Sequence, residues 1–181
     1  RIIDYKNFFF VGIGGIGMSA LARYFNSFGK KVAGYDKNSS LLTHILNEEG
    51  CQIAYEDHLD KIPKAHLSIE DTLVVYTPAI PKEHRQLQYF QEKNFQVLKR
   101  SEVLGLITRF NKALCVAGPH GKTTTSAMLA HVLSQSDYGC SAFLGGISSN
   151  FNSNVLVNKQ SEWTVVEADE FDRSFLHLSP F

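Results

Sequence analysis

A glycine-rich turn between an apolar run and a helical pattern limits the possible folds of this chain more than any other feature. The run Ala113–Ala117 predicts a short buried strand, and the turn that follows reads Gly118-Pro-His-Gly-Lys-Thr-Thr-Thr125. The helical pattern behind it is carried by Met128, Leu129, Val132 and Leu133. Such a turn exposes backbone N–H groups at the positive end of a helix dipole, which suits a polyphosphate. The stretch therefore predicts a nucleoside triphosphate site in an α/β domain.

Lys122 and Thr123 are the candidate phosphate and metal side chains of this turn. The lysine ammonium would reach the β- and γ-phosphates, and the threonine hydroxyl would bind Mg²⁺. The general phosphate-loop pattern requires a glycine where this chain has Val116, so the motif is the tighter G-x-x-G-K-T. The alternative is a plain Gly-Pro turn before a helix. A lysine in the first helical turn opposes the helix dipole unless an anion offsets it, which favours the phosphate interpretation.

A second glycine turn follows the buried run Phe8–Ile13. It contains G-x-G-x-x-G at Gly12, Gly14 and Gly17, then a helical pattern and a second apolar run that ends at Asp36. Strand, glycine turn, helix, strand and terminal acid predict the mononucleotide-binding half of a Rossmann-like fold. In the alternative interpretation the glycines only allow close packing of helix on strand, and Asp36 caps a helix.

The alternation of strands and helices continues and predicts two α/β domains. We expect helices at 40–49, 83–93 and 101–109, with the second presenting His84 and Arg85 on a solvated face, and strands at 52–54, 73–76 and 95–98. The loop Thr77–Pro81 is either a second wall of the first site or a plain connecting turn. A boundary near Arg109–Asn111 divides the chain into residues 1–110, a Rossmann-like parallel-sheet domain, and 111–181, part of a phosphate-loop α/β domain.

The end of the sequence places acidic residues after a predicted strand. We expect a strand and turn at 141–146, an exposed loop at 148–154 and a buried strand at 163–166. Four acids follow this strand, namely Glu167, Asp169, Glu170 and Asp172. Their mutual repulsion indicates a cation such as Mg²⁺, which prefers oxygen ligands; the alternative is a solvated acidic loop.

Composition excludes several classes of partner. Lysine plus arginine equals aspartate plus glutamate at 18 each, so no bulk charge favours nucleic acid or an anionic membrane. Cys51, Cys115 and Cys140 lack metal-site spacing, Cys115 is expected in a buried strand, and a reducing cytoplasm is the natural expectation. No apolar run approaches a membrane span. The chain begins without a methionine, so we expect it to be a fragment of a longer protein.

Three motifs in order resemble the Mur ligases: Gly12–Met18, Gly118–Thr125 and Glu167–Leu176. The resemblance covers essentially the whole chain and lies in the combination and order of the motifs. It implies a first domain that binds a UDP-sugar, so that the first glycine turn serves the diphosphate of UDP and not of NAD. It also implies that only the opening part of a central ATPase domain is present, with no third domain, and that this chain alone is inactive.

The resemblance further implies an activity in peptidoglycan precursor synthesis. The implied reaction joins L-alanine to the carboxylate of UDP-N-acetylmuramate through an acyl phosphate, with ATP and Mg²⁺. A related recycling branch joins a murein peptide to the same sugar, but the first glycine turn and the Ser-Phe-Leu-His-Leu-Ser-Pro ending favour the alanine branch. Two other classes are an NAD-dependent oxidoreductase, which leaves the second glycine turn unexplained, and a non-catalytic nucleotide-binding module.

The site residues that the resemblance implies fall into three groups. The ATP-binding residues are Gly118, Pro119, His120, Gly121, Lys122, Thr123 and Thr124, with Lys122 as the catalytic one. The UDP-sugar-binding residues are Gly12, Gly14, Gly15, Gly17, Met18, Asp36, Thr77 and Ala79. The metal ligands are Thr123 and Glu167, with Glu170 as the second choice to Glu167. His120 either contacts phosphate or points to solvent, and the oligomeric state stays open.

Overall fold

A parallel sheet organises the first part of the chain. Its strands are β1 (Asn7–Val11), β2 (Lys31–Tyr35), β3 (Gln52–Ala54), β4 (Thr72–Tyr76) and β5 (Gln96–Lys99), in the spatial order β3-β2-β1-β4-β5. Every neighbouring pair is parallel. The strand order changes direction between β1 and β4, and ligands of open α/β sheets bind in the crevice at the carboxyl ends of such strands. The Rossmann-like expectation is confirmed.

Helices cover both faces of this sheet. They are α1 (Ile16–Ser27), α2 (Leu41–Glu48) and α3 (Arg85–Glu92). Phe8 stacks on Phe25 of α1 with ring centroids 3.8 Å apart, and Phe9 contacts Phe90 of α3 with centroids 4.9 Å apart. Because successive side chains of a strand point to opposite faces, the phenylalanine run Phe8–Phe10 is buried on both sides. This accounts for its lack of polar alternation.

A mixed sheet organises the later part of the chain, for which the structure, a computed structural model, describes residues 101–168 and 175–181. Helix α4 (Arg100–Phe110) leads into β6 (Lys112–Val116), α5 (Lys122–Ser134), β7 (Ser141–Ser148), β8 (Ser153–Leu156) and β9 (Trp163–Glu167). The described strands stand in the order β6-β9-β7-β8, and only β8 among them runs antiparallel to its neighbour. All of residues 1–100 are described.

Two compact units result, Arg1–Arg100 and Ser101–Phe181, which we call the first and second units. This division falls earlier than the boundary near Arg109–Asn111 that the sequence predicts. The difference arises because α4 groups with the second unit. Within that unit, Thr108 of α4 accepts a hydrogen bond from the backbone N–H of Ser179 at 3.0 Å.

The structure corrects two expectations about the β7–β8 region. The turn predicted at Gly145 and Gly146 is absent, because β7 continues through both glycines to Ser148. The exposed loop predicted at 148–154 is wrong at its end, where Ser153 and Asn154 are buried in β8. The Ser153 hydroxyl accepts a hydrogen bond from the N–H of Val155 at 3.0 Å. This bond allows a serine, a residue type that indicates a loop in the sequence, to be buried in a strand.

Three smaller expectations also need correction. His84 is buried at the N-terminal end of α3 and does not lie on a solvated face. Helix α4 begins at Arg100, directly after β5, and not at a serine cap. Met128 and Val132, which carry the helical pattern of α5, are each 64% exposed, whereas Leu129 and Leu133 pack against the core of the second unit.

The cysteines are free, with Cys51 and Cys140 buried and Cys115 half-buried in β6, where full burial was expected. No helix in the described residues is long and apolar enough to cross a membrane.

Candidate functional site

The first glycine turn is tied to the end of β2. The N–H groups of Gly12 and Ile13 both donate to the carbonyl oxygen of Tyr35, at 2.8 and 2.9 Å. Gly12 has a φ of +90°, and a Cβ at this position would lie 2.7 Å from Cγ2 of Thr77. Both the left-handed backbone and the close approach therefore require glycine here.

Asp36 is bound to the glycine turn itself. Its Oδ2 accepts a hydrogen bond from the Gly14 N–H at 2.7 Å, and its Oδ1 accepts one from the Asn38 N–H at 3.1 Å. It does not cap a helix, which was the alternative considered from the sequence. The carboxylate holds the turn against the loop after β2, and its remaining lone pairs are available to a ligand hydroxyl.

The other predicted residues of this site differ in what they offer. Thr77 lies against Gly12, together with Ile80 of the same predicted loop. Ala79 is exposed in the same loop. Met18 is 2% exposed, so its side chain belongs to the core and only its backbone can face a ligand. Gly15 forms the N-cap of α1 without close neighbours.

Two charged or titratable groups border this turn. Tyr35 is the last residue of β2. Burial raises the pKa of its phenol, and the negative charges of Asp57 and Asp36 add to this effect. Arg100 was also missed by sequence reasoning: a Cβ on Gly17 would meet its guanidinium Nη1 at 2.6 Å. In the sequence, Arg100 stands out only as a basic residue just after a predicted strand.

The second glycine turn connects β6 to α5 through two left-handed glycines. Gly118 has a φ of +148° and Gly121, the N-cap of α5, has a φ of +76°. The Lys122 ammonium donates a hydrogen bond to the carbonyl oxygen of Gly118 at 2.8 Å, across the mouth of the turn. Pro119, His120 and Thr124 are exposed. The turn thus presents a lysine and a helix N-terminus together.

Glu167, at the end of β9, lies beside this turn. Its Oε1 accepts a hydrogen bond from the Thr123 hydroxyl at 3.0 Å, and its Oε2 accepts one from the Gly145 N–H at 2.9 Å. The two predicted metal ligands are therefore brought together. Gly145 was missed by sequence reasoning, although a glycine inside a strand often marks a close backbone approach. A Cβ here would lie 2.6 Å from Glu167 Oε2.

The oxygen donors of Thr123 and Glu167 fit Mg²⁺, which binds protein through one or two carboxylates and completes its shell with water and phosphate oxygens. In the described part of the chain, no group of three or more His, Cys, Asp or Glu side chains is arranged to hold a metal. Glu170, the second choice as metal ligand, lies outside the described residues, as do Asp169 and Asp172.

The fold and the two turns define an α/β protein with two sheet units, each carrying a glycine turn at the start of a helix. A family model described as "Mur ligase family, catalytic domain" matches residues 7–112, more than half of the 181 residues. The chain belongs to the Mur ligase family, as the sequence motifs indicated.

Curated relatives agree with this membership. The chain is 57% identical over 176 residues to a UDP-N-acetylmuramate–L-alanine ligase of Porphyromonas gingivalis, with 97% of the chain and 39% of the relative covered. It is 58% identical over 173 residues to the ligase of the same name from Parabacteroides distasonis, with 96% of the chain and 37% of the relative covered. The chain therefore spans about two fifths of the length of these relatives.

Solved structures show the same fold. A UDP-N-acetylmuramate–alanine ligase of Thermotoga maritima superposes with a TM-score of 0.84 at 30% identity, covering 96% of this chain and 39% of that one. A UDP-N-acetylmuramate:L-alanyl-γ-D-glutamyl-meso-diaminopimelate ligase of Neisseria meningitides gives 0.83 at 24% identity, covering 97% and 58%. The second likeness concerns the fold alone.

Proposed function

We propose that this chain is the UDP-sugar-binding part and the opening ATP-binding part of a ligase that joins L-alanine to UDP-N-acetylmuramate in peptidoglycan precursor synthesis. The observation that carries the proposal is the contact of Thr123 with Glu167 beside a lysine-bearing glycine turn. The names of the relatives at 57% and 58% identity supply the substrates. Because the chain spans about two fifths of those relatives, the activity belongs to a longer protein.

The first unit is proposed to bind the UDP-sugar at the turn Gly12–Gly17. Backbone N–H groups at the start of α1 would face the diphosphate, and Asp36 would accept a hydrogen bond from a hydroxyl of the nucleotide. Thr77 and Ala79 would form the neighbouring wall. This assignment is supported by the position of the turn at the reversal of strand order, between β1 and β4.

The second unit is proposed to bind ATP at the turn Gly118–Thr124. Lys122 would exchange its bond to the Gly118 carbonyl for the phosphates, since an ammonium gains more from a phosphate charge than from a neutral oxygen. Thr123 and Glu167 would hold Mg²⁺, which neutralises phosphate charge when bound. His120 is proposed to lend its backbone to the loop.

In the proposed reaction the muramate carboxylate takes the γ-phosphoryl group of ATP, giving an acyl phosphate and ADP. The amine of L-alanine then displaces phosphate and forms the amide. The protein supplies no covalent nucleophile in this scheme. Its residues position the reactants and offset their charge, which is how phosphoryl transfer is generally catalysed.

The alanine reaction is favoured over recycling of a murein peptide. The supporting relatives at 57% and 58% identity are both named for L-alanine, whereas the Neisseria enzyme named for the tripeptide shares only 24% identity. An NAD-dependent oxidoreductase is the candidate of another class, and it leaves Lys122, Thr123 and Glu167 without a role.

Calorimetric titration of the 181-residue chain tests the binding part of the proposal. We expect UDP-N-acetylmuramate to bind, Mg²⁺-ATP to bind separately, and NADH not to bind. Lys122→Ala should weaken Mg²⁺-ATP binding about tenfold or more, because a charge-assisted contact to phosphate is lost. The UDP-sugar affinity should stay unchanged. The exposed Lys159→Ala serves as a control for the loss of one positive charge in the second unit.

Catalysis is tested in a chain with the full length of the relatives. Lys122→Ala in that protein should abolish L-alanine-dependent release of phosphate. Full ATP turnover by this variant would overturn the assignment. NADH binding to the 181-residue chain, without a response to the UDP-sugar, would replace the ligase with an oxidoreductase. Ligand binding by a full-length protein that never turns over would indicate a non-catalytic binding module.

A further inference from the structure

Arg100 stands where β5 ends and α4 begins, at the carboxyl end of an edge strand of the first sheet. Its Nη1 lies 2.6 Å and its Cδ 3.0 Å from the position of a Cβ on Gly17. Since the Cα–Cβ bond of a helical residue tilts toward the helix N-terminus, the guanidinium lies against the first turn of α1 on its N-terminal side.

To reach this position, the side chain of Arg100 crosses the crevice at the carboxyl ends of the strands. Strand β4 stands between β5, which ends one residue before Arg100, and β1, which leads into the glycine turn. Arg100 therefore extends over the carboxyl end of β4 to the turn after β1. This is the reversal of strand order at which ligands of open α/β sheets bind.

The charge of Arg100 is not balanced by any residue in the described part of the chain. The side chain is half-buried and has no ion pair or side-chain hydrogen bond to those residues. A guanidinium stays protonated at physiological pH and carries five N–H donors in a planar fork. The first turn of α1 is the positive end of a helix dipole, so a bare cation there is unfavourable without a bound anion.

A backbone donor in the first turn of α1 also lacks an acceptor. No described residue accepts a hydrogen bond from the N–H group of Gly17. The Gly14 N–H, in contrast, is taken by Asp36. The Asp36 carboxylate therefore occupies the donor of Gly14, whereas Gly17, which lies beside the Arg100 guanidinium, keeps its N–H group open.

We propose that Arg100 is a ligand of the diphosphate at the first glycine turn and determines where the UDP-sugar lies along the crevice. The inference rests on the proposed function, because it takes the anion to be the diphosphate of that sugar nucleotide. The planar fork of the guanidinium matches two phosphate oxygens at once. Gly17 is needed as glycine because a larger residue would displace the guanidinium from the turn.

A competing explanation gives Arg100 a packing role only, with its aliphatic stem filling the space beside Gly17. Two substitutions separate the explanations. Arg100→Met keeps an unbranched apolar stem and removes the charge, and Arg100→Lys keeps the charge and removes the fork. Lys93→Met is the matched control, because Lys93 is an exposed cation at the C-terminal end of α3.

The experiment is calorimetric titration of the 181-residue chain and these variants with UDP-N-acetylmuramate and with inorganic pyrophosphate, at two salt concentrations. We expect Arg100→Met to weaken both ligands about tenfold or more and to reduce the salt dependence of binding. Arg100→Lys should recover part of the affinity. Lys93→Met should bind like the unsubstituted chain, and circular dichroism should show all variants folded.

The outcomes distinguish this inference from the proposed function. Unchanged affinity of Arg100→Met for both ligands would overturn the role of Arg100 and leave the UDP-sugar site standing. Binding of pyrophosphate but not of the UDP-sugar, with loss in Arg100→Met, would support Arg100 as an anion ligand and overturn the proposed substrate. Absence of binding by either ligand to the unsubstituted chain would overturn both.

Discussion

His84 is buried at the start of α3. Its side chain is 5% exposed, and its Nδ1 lies 3.4 Å from the Leu87 nitrogen and 3.3 Å from Oδ1 of Asp57. Burial lowers the pKa of His84, and the negative charge of Asp57 opposes this effect only in part. His66 is also buried, and its pKa is lowered by the same cause.

These two histidines predict that the first unit loses stability in mild acid. In the unfolded chain a histidine titrates near 6.5, and in the folded unit both pKa values lie lower. Below 6.5 the unfolded state therefore binds more protons, and the free energy of unfolding falls as the pH falls. The stabilisation is fully present above 6.5 and is lost as the pH approaches the folded pKa values.

Urea unfolding followed by circular dichroism between pH 8 and pH 5 checks this expectation. His66→Gln and His84→Gln together should flatten the decline of unfolding free energy below 6.5. His44→Gln, at an exposed histidine of α2, should leave the decline in place. An unfolding free energy that stays constant from pH 7.5 to 5.5 in the unsubstituted chain would contradict the argument.

At the scale of elements, the backbone of β7 holds the side chain of Glu167 at the end of β9. The pairing of Phe143 with Val166 brings the following residues of both strands side by side. The Gly145 N–H then bonds to one oxygen of Glu167, while the other oxygen accepts from Thr123. The strand thus orients the carboxylate that we propose as a metal ligand.

Gly145→Ala is predicted to disrupt this arrangement, because the added methyl group would lie 2.6 to 2.7 Å from the carboxyl group of Glu167. The carboxylate has to move, so we expect Mg²⁺-ATP affinity in calorimetry to fall about tenfold. Gly146→Ala is the matched control, since its nearest neighbour, Cγ2 of Thr123, lies at an ordinary 3.5 Å. Equal affinities of the two variants would show that Gly145 does not orient Glu167.

The same elements show which parts of the structure the sequence predicts. Helix α2 was predictable because its signals are local: the Ser40 hydroxyl accepts from the Thr43 N–H, three residues away. The hairpin of β7 and β8 was not, because glycine, serine and asparagine indicate a loop by composition, and their burial depends on strand pairing. Gly145 and Arg100 were missed for a related reason, since both act on residues far along the chain.

At the scale of the whole molecule, α4 decides where the chain divides. The sequence places the boundary near residue 110, because a full α/β alternation ends there, whereas the structure places α4 with the second unit from Ser101 onward. The helix buries Val103, Leu104 and Ile107, and a Cβ on Gly105 would collide with the carbonyl oxygen of His177. Gly105 and Thr108 thus join α4 to residues 177 and 179 of the second unit.

Two shortened chains distinguish these boundaries. Residues 1–100 contain the whole first sheet and its own hydrophobic cluster, so we expect this piece to fold alone and unfold cooperatively in urea. Residues 1–110 add α4 without the second unit, and the exposed apolar face should promote association. Sedimentation velocity should show a monomer for 1–100 and larger species for 1–110. A monomeric 1–110 that is more stable than 1–100 would favour the boundary predicted from the sequence, because α4 would then stabilise the first unit.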